Sequence, residues 1–257
     1  MTDAGFDPRN PALRLASASR TGMALKDLPA DERPQTLEQG YAVQAAFVDG
    51  LGDGIAGWKL AGASPRGLRG ELPNPPATGL LGHSRIVQSG GTVQLPPGRS
   101  ATLEVEVAFC FARAVSPAHD AFDAASMIAY ATVAVEVVCS RFLDRKAVGQ
   151  PSFVADNVGF HALVLGDKLE FCDSASFDED AGLWRDGERI ANGMTGDDRT
   201  KPFLSLGHLW EKLRKQGSKI AEGSLVTTGT LTVPVDVTAG GYYEGRIGGS
   251  AIAFTLR

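Results

Sequence analysis

Two glutamates set two residues apart in an otherwise apolar run, Leu103-Glu104-Val105-Glu106-Val107, constrain this chain more than any other feature. The segment LEVEVAFCF alternates and then runs apolar, the pattern of a strand passing from a half-exposed face into a core. Side chains at i and i+2 of a strand share a face, so both carboxylates project the same way. Like charges side by side on a sheet destabilise it, and burying either is costly without a compensating cation. A bound divalent cation resolves that conflict. Glu136 repeats the pattern inside Ala134-Val135-Glu136-Val137-Val138, the most apolar strand context in the chain. Three such glutamates make an oxygen-donor set for Mg2+ or Mn2+, with positions left open for water and substrate. Spacing alone equally admits a plainer arrangement, with Glu104 and Glu106 on a solvated face and Glu136 paired with Arg141 or Arg145.

The rest of the chain supplies helices first and strands later. Apolar residues recur at three- and four-residue spacings over 10–52, with Asp31 and Pro34 as punctuation and a second helix start at Thr36. IAGWKLAG then reads as a short strand, and the stretch 65–100 is rich in proline and glycine, as loops around a binding surface are. A helix is expected over 121–131 (AFDAASMIAYA), followed by the buried strand VAVEVVCSRF. Asp186-Gly187 inside LWRDGERIA signals a type I′ hairpin. PFLSLGHLWEKLRKQ has the apolar stripe of an amphipathic helix, stopped by Gly217. The tail from Ser224 is strand and turn throughout. These elements predict an α+β fold, with a helical N-terminal region over 1–70 and a β-rich body over 71–257 that is antiparallel or mixed.

Composition narrows the partners. At 257 residues and 43% hydrophobic the chain can bury a real core. Its 25 basic against 30 acidic residues leave a formal charge of −5 without any basic stripe, which argues against nucleic acid. No apolar stretch is long enough to cross a bilayer. The start, MTDAGFDPRN, lacks the basic and apolar regions of a secretory signal. Cys110, Cys139 and Cys172 are widely spaced and odd in number. They read as inert thiols in a reducing cytoplasm rather than as a zinc site. A small-molecule partner is the expectation.

Two further features carry polar groups in apolar surroundings. Lys59 lies in Gly57-Trp58-Lys59-Leu60, either as an ammonium aimed at an anionic substrate or as a surface lysine on an edge strand. Asp156-Asn157 sits between apolar segments in VADNVG, as a turn or as a pair of site residues.

Six strings in register, GYAVQ (40–44), GWKLAGAS (57–64), EVEVAF (104–109), VEVVCSRF (135–142), ADN (155–157) and VTTGTLTVPVDVTAG (226–240), resemble the 2-keto-4-pentenoate hydratase and 4-oxalocrotonate decarboxylase branch of the fumarylacetoacetate hydrolase superfamily. The likeness runs from about residue 36 to the end. It implies a mixed β-sandwich or β-roll housing the site, and a metal-dependent, homo-oligomeric enzyme acting on a small 2-oxo or 2-hydroxydienoic acid. By position, Glu104, Glu106 and Glu136 match the metal ligands and Lys59 the active-site lysine, while Asp156, Asn157 and Thr230 match segments that line the substrate pocket. There are departures. Where the hydratases carry an acid in a Glu-Pro-Asp-aromatic-Gly segment, this chain has Ala77 within Asn74-Pro75-Pro76-Ala77-Thr78-Gly79, and Val158-Gly159 replaces the small residue after Asp-Asn. Glu71 and Asp156 are the candidates to fill the missing acid's place.

The resemblance ranks the reactions. Hydration of a 2-hydroxy-2,4-dienoate comes first and 4-oxalocrotonate-type decarboxylation second. Hydrolysis of a carbon-carbon bond is third, because His83, His119, His161 and His208 fall in no motif of the hydrolases. A diverged binding protein that has kept the fold and lost turnover is the alternative of a different class.

Overall fold

The computed structural model describes residues 5–170 and 177–257. In chain order the elements are α1 (Arg9–Thr21), α2 (Leu37–Asp49), β1 (Ile55–Ala61), α3 (Pro65–Leu68), β2 (Ala77–Gly82), β3 (Ile86–Gln88), β4 (Thr92–Val93), β5 (Ser100–Phe111), α4 (Ala124–Met127), β6 (Ile128–Val138), α5 (Gly149–Ala155), β7 (Phe160–Leu169), β8 (Ala181–Arg185), β9 (Glu188–Asn192), α6 (Pro202–Gln216), β10 (Leu225–Thr230), β11 (Val235–Thr238), β12 (Tyr242–Ile247) and β13 (Ser250–Leu256). The larger sheet runs β2-β1-β10-β5-β6-β7-β3, with β11 also paired to β5, and the smaller runs β4-β13-β12-β8-β9. The two long strands β5 and β6 are antiparallel partners at the centre of the larger sheet. The fold class is the expected α+β with a mixed β-sandwich.

Period-two alternation along β5 and β6 organises the core. Val105, Val107, Val133, Val135 and Val137 join the main apolar cluster with Leu183, Tyr243, Ile252 and Phe254 from the smaller sheet. Gly245 lets the sheets close: a Cβ there would stand 2.8 Å from a Val135 methyl and 3.3 Å from one of Val105. The even-numbered residues, Glu104, Glu106 and Glu136 among them, therefore turn away from the sandwich core. A separate apolar cluster builds the helical layer, with Leu15 of α1, Val43 and Phe47 of α2, and Phe142, Val148 and Ala155 around α5.

Local signals read in the sequence account for the element ends. Thr36 caps α2 by accepting from the Gln39 N–H at 3.2 Å. Gly217, at φ +65°, closes α6. Asp186 (φ +50°) and Gly187 (φ +89°) both take the left-handed geometry of a type I′ turn between β8 and β9. The helix expected over 121–131 is a correction. Only the single turn of α4 forms, because Ile128 starts β6 and pairs with Phe111, followed by Tyr130 with Cys110. Ladder bonds and burial there override alanine's helical preference. Within 10–52, Met23 and Leu25 lie outside the helices, and Leu25 bridges to Phe142. β1 precedes the boundary expected near residue 70, yet it is hydrogen-bonded in the larger sheet between β2 and β10.

Cys110 and Cys139 are buried free thiols, and Cys172 lies outside the described residues. No helix among the described residues is long and apolar enough to cross a membrane.

Candidate active site

The β5–β6 register sets Glu104 directly opposite Glu136, and Glu106 follows on the same face of β5. One oxygen from each of the three carboxylates lies within 4.8 Å of the others. Glu106 and Glu136 are wholly buried. Lys59, on β1 and only 2% exposed, extends its ammonium to 2.8 Å from Glu136 Oε1. Two glycines make this arrangement possible. Gly79 on β2 faces Lys59, and a Cβ there would approach the lysine Cγ to 3.0 Å and the Asn157 carbonyl oxygen to 2.8 Å. Gly229, at φ +99°, lies where β10 shifts register, and its N–H donates to Glu106 Oε2 at 2.9 Å.

The electrostatics are those of a cation site. Burial, then the neighbouring Glu136, pushes the Glu104 carboxyl up to about 7, with Lys59 and Arg145 opposing. Burial, then Glu136 and Glu104, holds Glu106 well above the usual carboxylate range, against Lys59 and the Gly229 N–H. Glu106 Oε1 and Glu136 Oε2 are buried without a hydrogen-bond partner among the described residues. Native interiors rarely leave such atoms unsatisfied unless an ion or a ligand completes them. Three carboxylates against one ammonium leave two negative charges, which a hard divalent cation with oxygen preference matches. The donor set fits a hard divalent cation.

A cavity of about 380 Å³ opens above this cluster. Lys59, Ala61, Glu104, Val138, Arg145 and Phe153 are among the residues that line it, with Asn74, Lys146, Gln150 and Val158. Val158 and Asn157 hold φ of +53° and +54°. That geometry costs on the order of 1–3 kcal/mol per residue and is most unusual for a β-branched side chain.

The structure brings Glu104, Glu106, Glu136 and Lys59 together, and treats the other expected site residues differently. Asp156 is not among the residues lining the cavity: its carboxylate is fully buried and is taken up by the Ser140 hydroxyl at 2.6 Å and by the Arg141 N–H and guanidinium. The Asn157 amide clamps β2, accepting from Leu80 N at 2.7 Å and donating to Leu80 O at 2.8 Å. The neighbouring Val158 reaches the cavity in their place. Thr230 is opposite Glu106 in the β10–β5 register, but its hydroxyl bonds within the following turn to Thr232. Neither candidate for the missing acid fills it. Glu71 is on the surface with Arg69 and Arg66, and Ala77 packs in an apolar cluster with Val154 and Val158.

Sequence reasoning missed Asn74, Lys146 and Gln150 as cavity residues, and named Arg145 only as a partner for Glu136. A polar run directly after an apolar strand, DRKAVGQ at 144–150, was the available signal.

No family model matches the chain. It is 27% identical over 243 residues to the 2-keto-4-pentenoate hydratase of Burkholderia vietnamiensis, covering 93% of this chain and 92% of that one. To the 2-keto-4-pentenoate hydratase of Paraburkholderia phymatum it is 28% identical over 242 residues, covering 92% and 91%. In three dimensions it matches 4-oxalocrotonate decarboxylase from Pseudomonas putida G7, complexed with magnesium and adipate, with a TM-score of 0.81 over 97% of each chain at 20% identity. A fumarylacetoacetate hydrolase family protein from Yersinia pestis matches with a TM-score of 0.59 at 18% identity, over 78% of this chain and 92% of that one. The resemblance to the 2-keto-4-pentenoate hydratase and 4-oxalocrotonate decarboxylase branch thus extends over nearly the whole chain, and the protein is an enzyme with the fumarylacetoacetate hydrolase fold.

Proposed function

We propose that this enzyme is a divalent-metal-dependent hydro-lyase that adds water to a 2-hydroxy-2,4-dienoate in the breakdown of aromatic-type compounds. The observation that carries the reading is the buried convergence of Glu104, Glu106 and Glu136 beside Lys59, with Glu104 and Lys59 lining a cavity. The three carboxylates would hold Mg2+, or Mn2+. Such an ion supplies Lewis acidity toward the oxygens of a 2-oxo acid and favours its enol form. Gly229 orients Glu106 through its N–H, and burial of the cluster strengthens each charge interaction within it. Lys59 holds a proton at Nζ in the cavity lining, with Glu136 Oε1 beside it as the acceptor that keeps the ammonium in place. A positioned group of this kind exchanges protons with a substrate carbon or oxygen during tautomerisation and hydration. The apolar wall of Ala61, Val138, Phe153 and Val158 suits the carbon chain of a dienoate. The hydratase names of the sequence relatives support the same reading.

Turnover of 2-hydroxypenta-2,4-dienoate to 4-hydroxy-2-oxopentanoate, followed by loss of dienol absorbance with and without a chelator, tests it. Mg2+-dependent disappearance is expected, and a fully loaded protein that leaves the dienoate untouched refutes it. Decarboxylation of a 4-oxalocrotonate-type substrate is the second reading, favoured by Ala77 and by the engagement of Glu71 and Asp156 elsewhere. Ala77→Asp separates the two. A general acid or base contributes about 10²- to 10⁴-fold, so the added carboxylate should raise hydration relative to decarboxylation if its absence limits the wild type.

A further inference from the structure

We infer that a second site, apart from the glutamate cluster, holds one small monovalent anion of chloride size on Arg85, in the cleft where the helical layer meets the larger sheet. The inference is independent of the reading of the active site.

Position comes first. Arg85 ends the single helical turn His83–Arg85 ahead of β3 and is half-buried. It lines a cleft with Ser19 of α1, Phe47 of α2, Leu80 of β2, and Phe160 and His161 of β7. No residue of this cleft also lines the active-site cavity. Among the described residues the Arg85 guanidinium has neither a hydrogen bond nor an ion pair. A charge withdrawn from water without a partner is costly. Asp53, in the same cleft, is occupied with the Ser84 N–H at 2.9 Å and the Ser84 hydroxyl at 2.8 Å, and Asp156 is bound to Ser140 and Arg141.

The cleft is short of negative charge. Burial and then Arg141 lower Arg85, and Asp53 opposes less than Arg141 adds. Burial lowers His161 as well, with Arg85 and Arg141 adding to it against the Gln94 carbonyl oxygen. Arg141 cannot turn away: its Nη1 donates to the Phe160 carbonyl oxygen at 2.7 Å and its guanidinium lies 5.4 Å from the Phe47 ring centroid. An anion beside Arg85 gains a charge-assisted hydrogen bond there and offsets the repulsion from Arg141. Size selects among anions. The cleft offers about 30 Å³, room for about two water molecules, which admits a halide and excludes a phosphate group. Apolar walls from Phe47, Leu80 and Phe160 also favour a weakly hydrated ion. Because Ser19 and Phe47 belong to the helical layer and Arg85 to the sheet side, the ion ties the two layers together, and its effect is on stability.

The test follows Tm by calorimetry as sodium chloride replaces sodium gluconate at constant ionic strength, beside anomalous scattering from crystals soaked in bromide. Wild-type Tm should rise by about 2–3 °C for each tenfold increase in chloride above its Kd, with one bromide peak against the Arg85 guanidinium. Arg85→Gln should abolish the chloride-specific rise, and Arg85→Lys, which keeps the charge, should retain part of it. An equal rise in wild type and Arg85→Gln overturns the inference, as does a wild type indifferent to chloride. A bromide peak without any Arg85-dependent rise in solution means an adventitious ion only and overturns it too. A rise with sodium acetate but none with chloride overturns the assignment to a halide.

Discussion

Replacing Glu106 by Gln is expected to make the metal-free protein more stable and, at the same time, insensitive to magnesium. Glu106 is fully buried, its carboxyl is held well above its usual range by burial and by two neighbouring glutamates, and one of its oxygens has no partner. The amide keeps the side-chain shape and an acceptor for the Gly229 N–H, while its NH2 can donate to the unsatisfied oxygen of Glu136. Satisfying such a buried acceptor is worth about 1–3 kcal/mol. The unfolding entropy of a chain this long is roughly 0.5 kcal/mol per kelvin, so the metal-free Tm should rise by about 2–6 °C. In the wild type, Mg2+ at a hundredfold excess over Kd stabilises by about 2.7 kcal/mol, which on the same scale is about 5 °C. Differential scanning calorimetry at mildly alkaline pH, with a chelator and then with excess Mg2+, reads both quantities. The reasoning is refuted if Glu106→Gln retains a Mg2+-dependent shift of wild-type size, or if its metal-free Tm falls.

Lys59→Met removes the ammonium paired with Glu136, so it should tighten Mg2+ binding while lowering turnover by about 10²-fold or more, measured by metal titration beside steady-state kinetics. Arg141→Met strands the buried Asp156 carboxylate and should cost about 3–5 kcal/mol in urea unfolding, whereas Asp156→Asn, which keeps acceptors for Ser140 and Arg141, should cost less. Burial, aided by Arg85 and Arg141 and opposed by a hydrogen bond to the Gln94 carbonyl oxygen, lowers His161 to about 4 from 6.5. The unfolded chain therefore takes up that proton first as pH falls. This contribution is complete above the unfolded value and is lost between roughly pH 6.5 and 4, by at most about 3 kcal/mol for a partly buried imidazole. His161→Gln should flatten the stability profile in that window, as followed by urea unfolding at stepped pH.

What the sequence disclosed depended on whether a signal was local. Alternation in β5 and β6 carried the sheet and the face bearing the glutamates, because side-chain direction in a strand follows from position alone. The Asp186-Gly187 turn and the Gly217 stop were legible for the same reason. The helix expected over 121–131 was not, since Ile128 and Tyr130 are held by cross-strand partners more than fifteen residues away in the chain. The same limit applied to the site. Glu104, Glu106, Glu136 and Lys59 stand out as charges in apolar strands, but the engagement of Asp156 by Arg141 depends on how β6 leads into α5. Arg145 and Lys146 sit in an unremarkable polar run, and only the fold sets them over the cavity.

The direct opposition of Glu104 and Glu136 also bears on how the chain finds its alignment during folding. A slip of β5 against β6 by one residue would carry the glutamates of one strand into the sandwich core, among Val105, Val135 and Tyr243. A slip by two would preserve the faces, and hydrophobic burial alone would scarcely distinguish it from the native pairing, because apolar residues occupy every second position on both strands. A slip that set Glu136 opposite Thr102 would carry it away from Glu106 and break up the oxygen set, whereas a slip the other way would set it opposite Glu106 with Glu104 still diagonal. A bound cation would therefore penalise slippage of these apolar ladders in one direction, so the carboxylates that burden the empty fold would serve as a one-sided stop on their alignment.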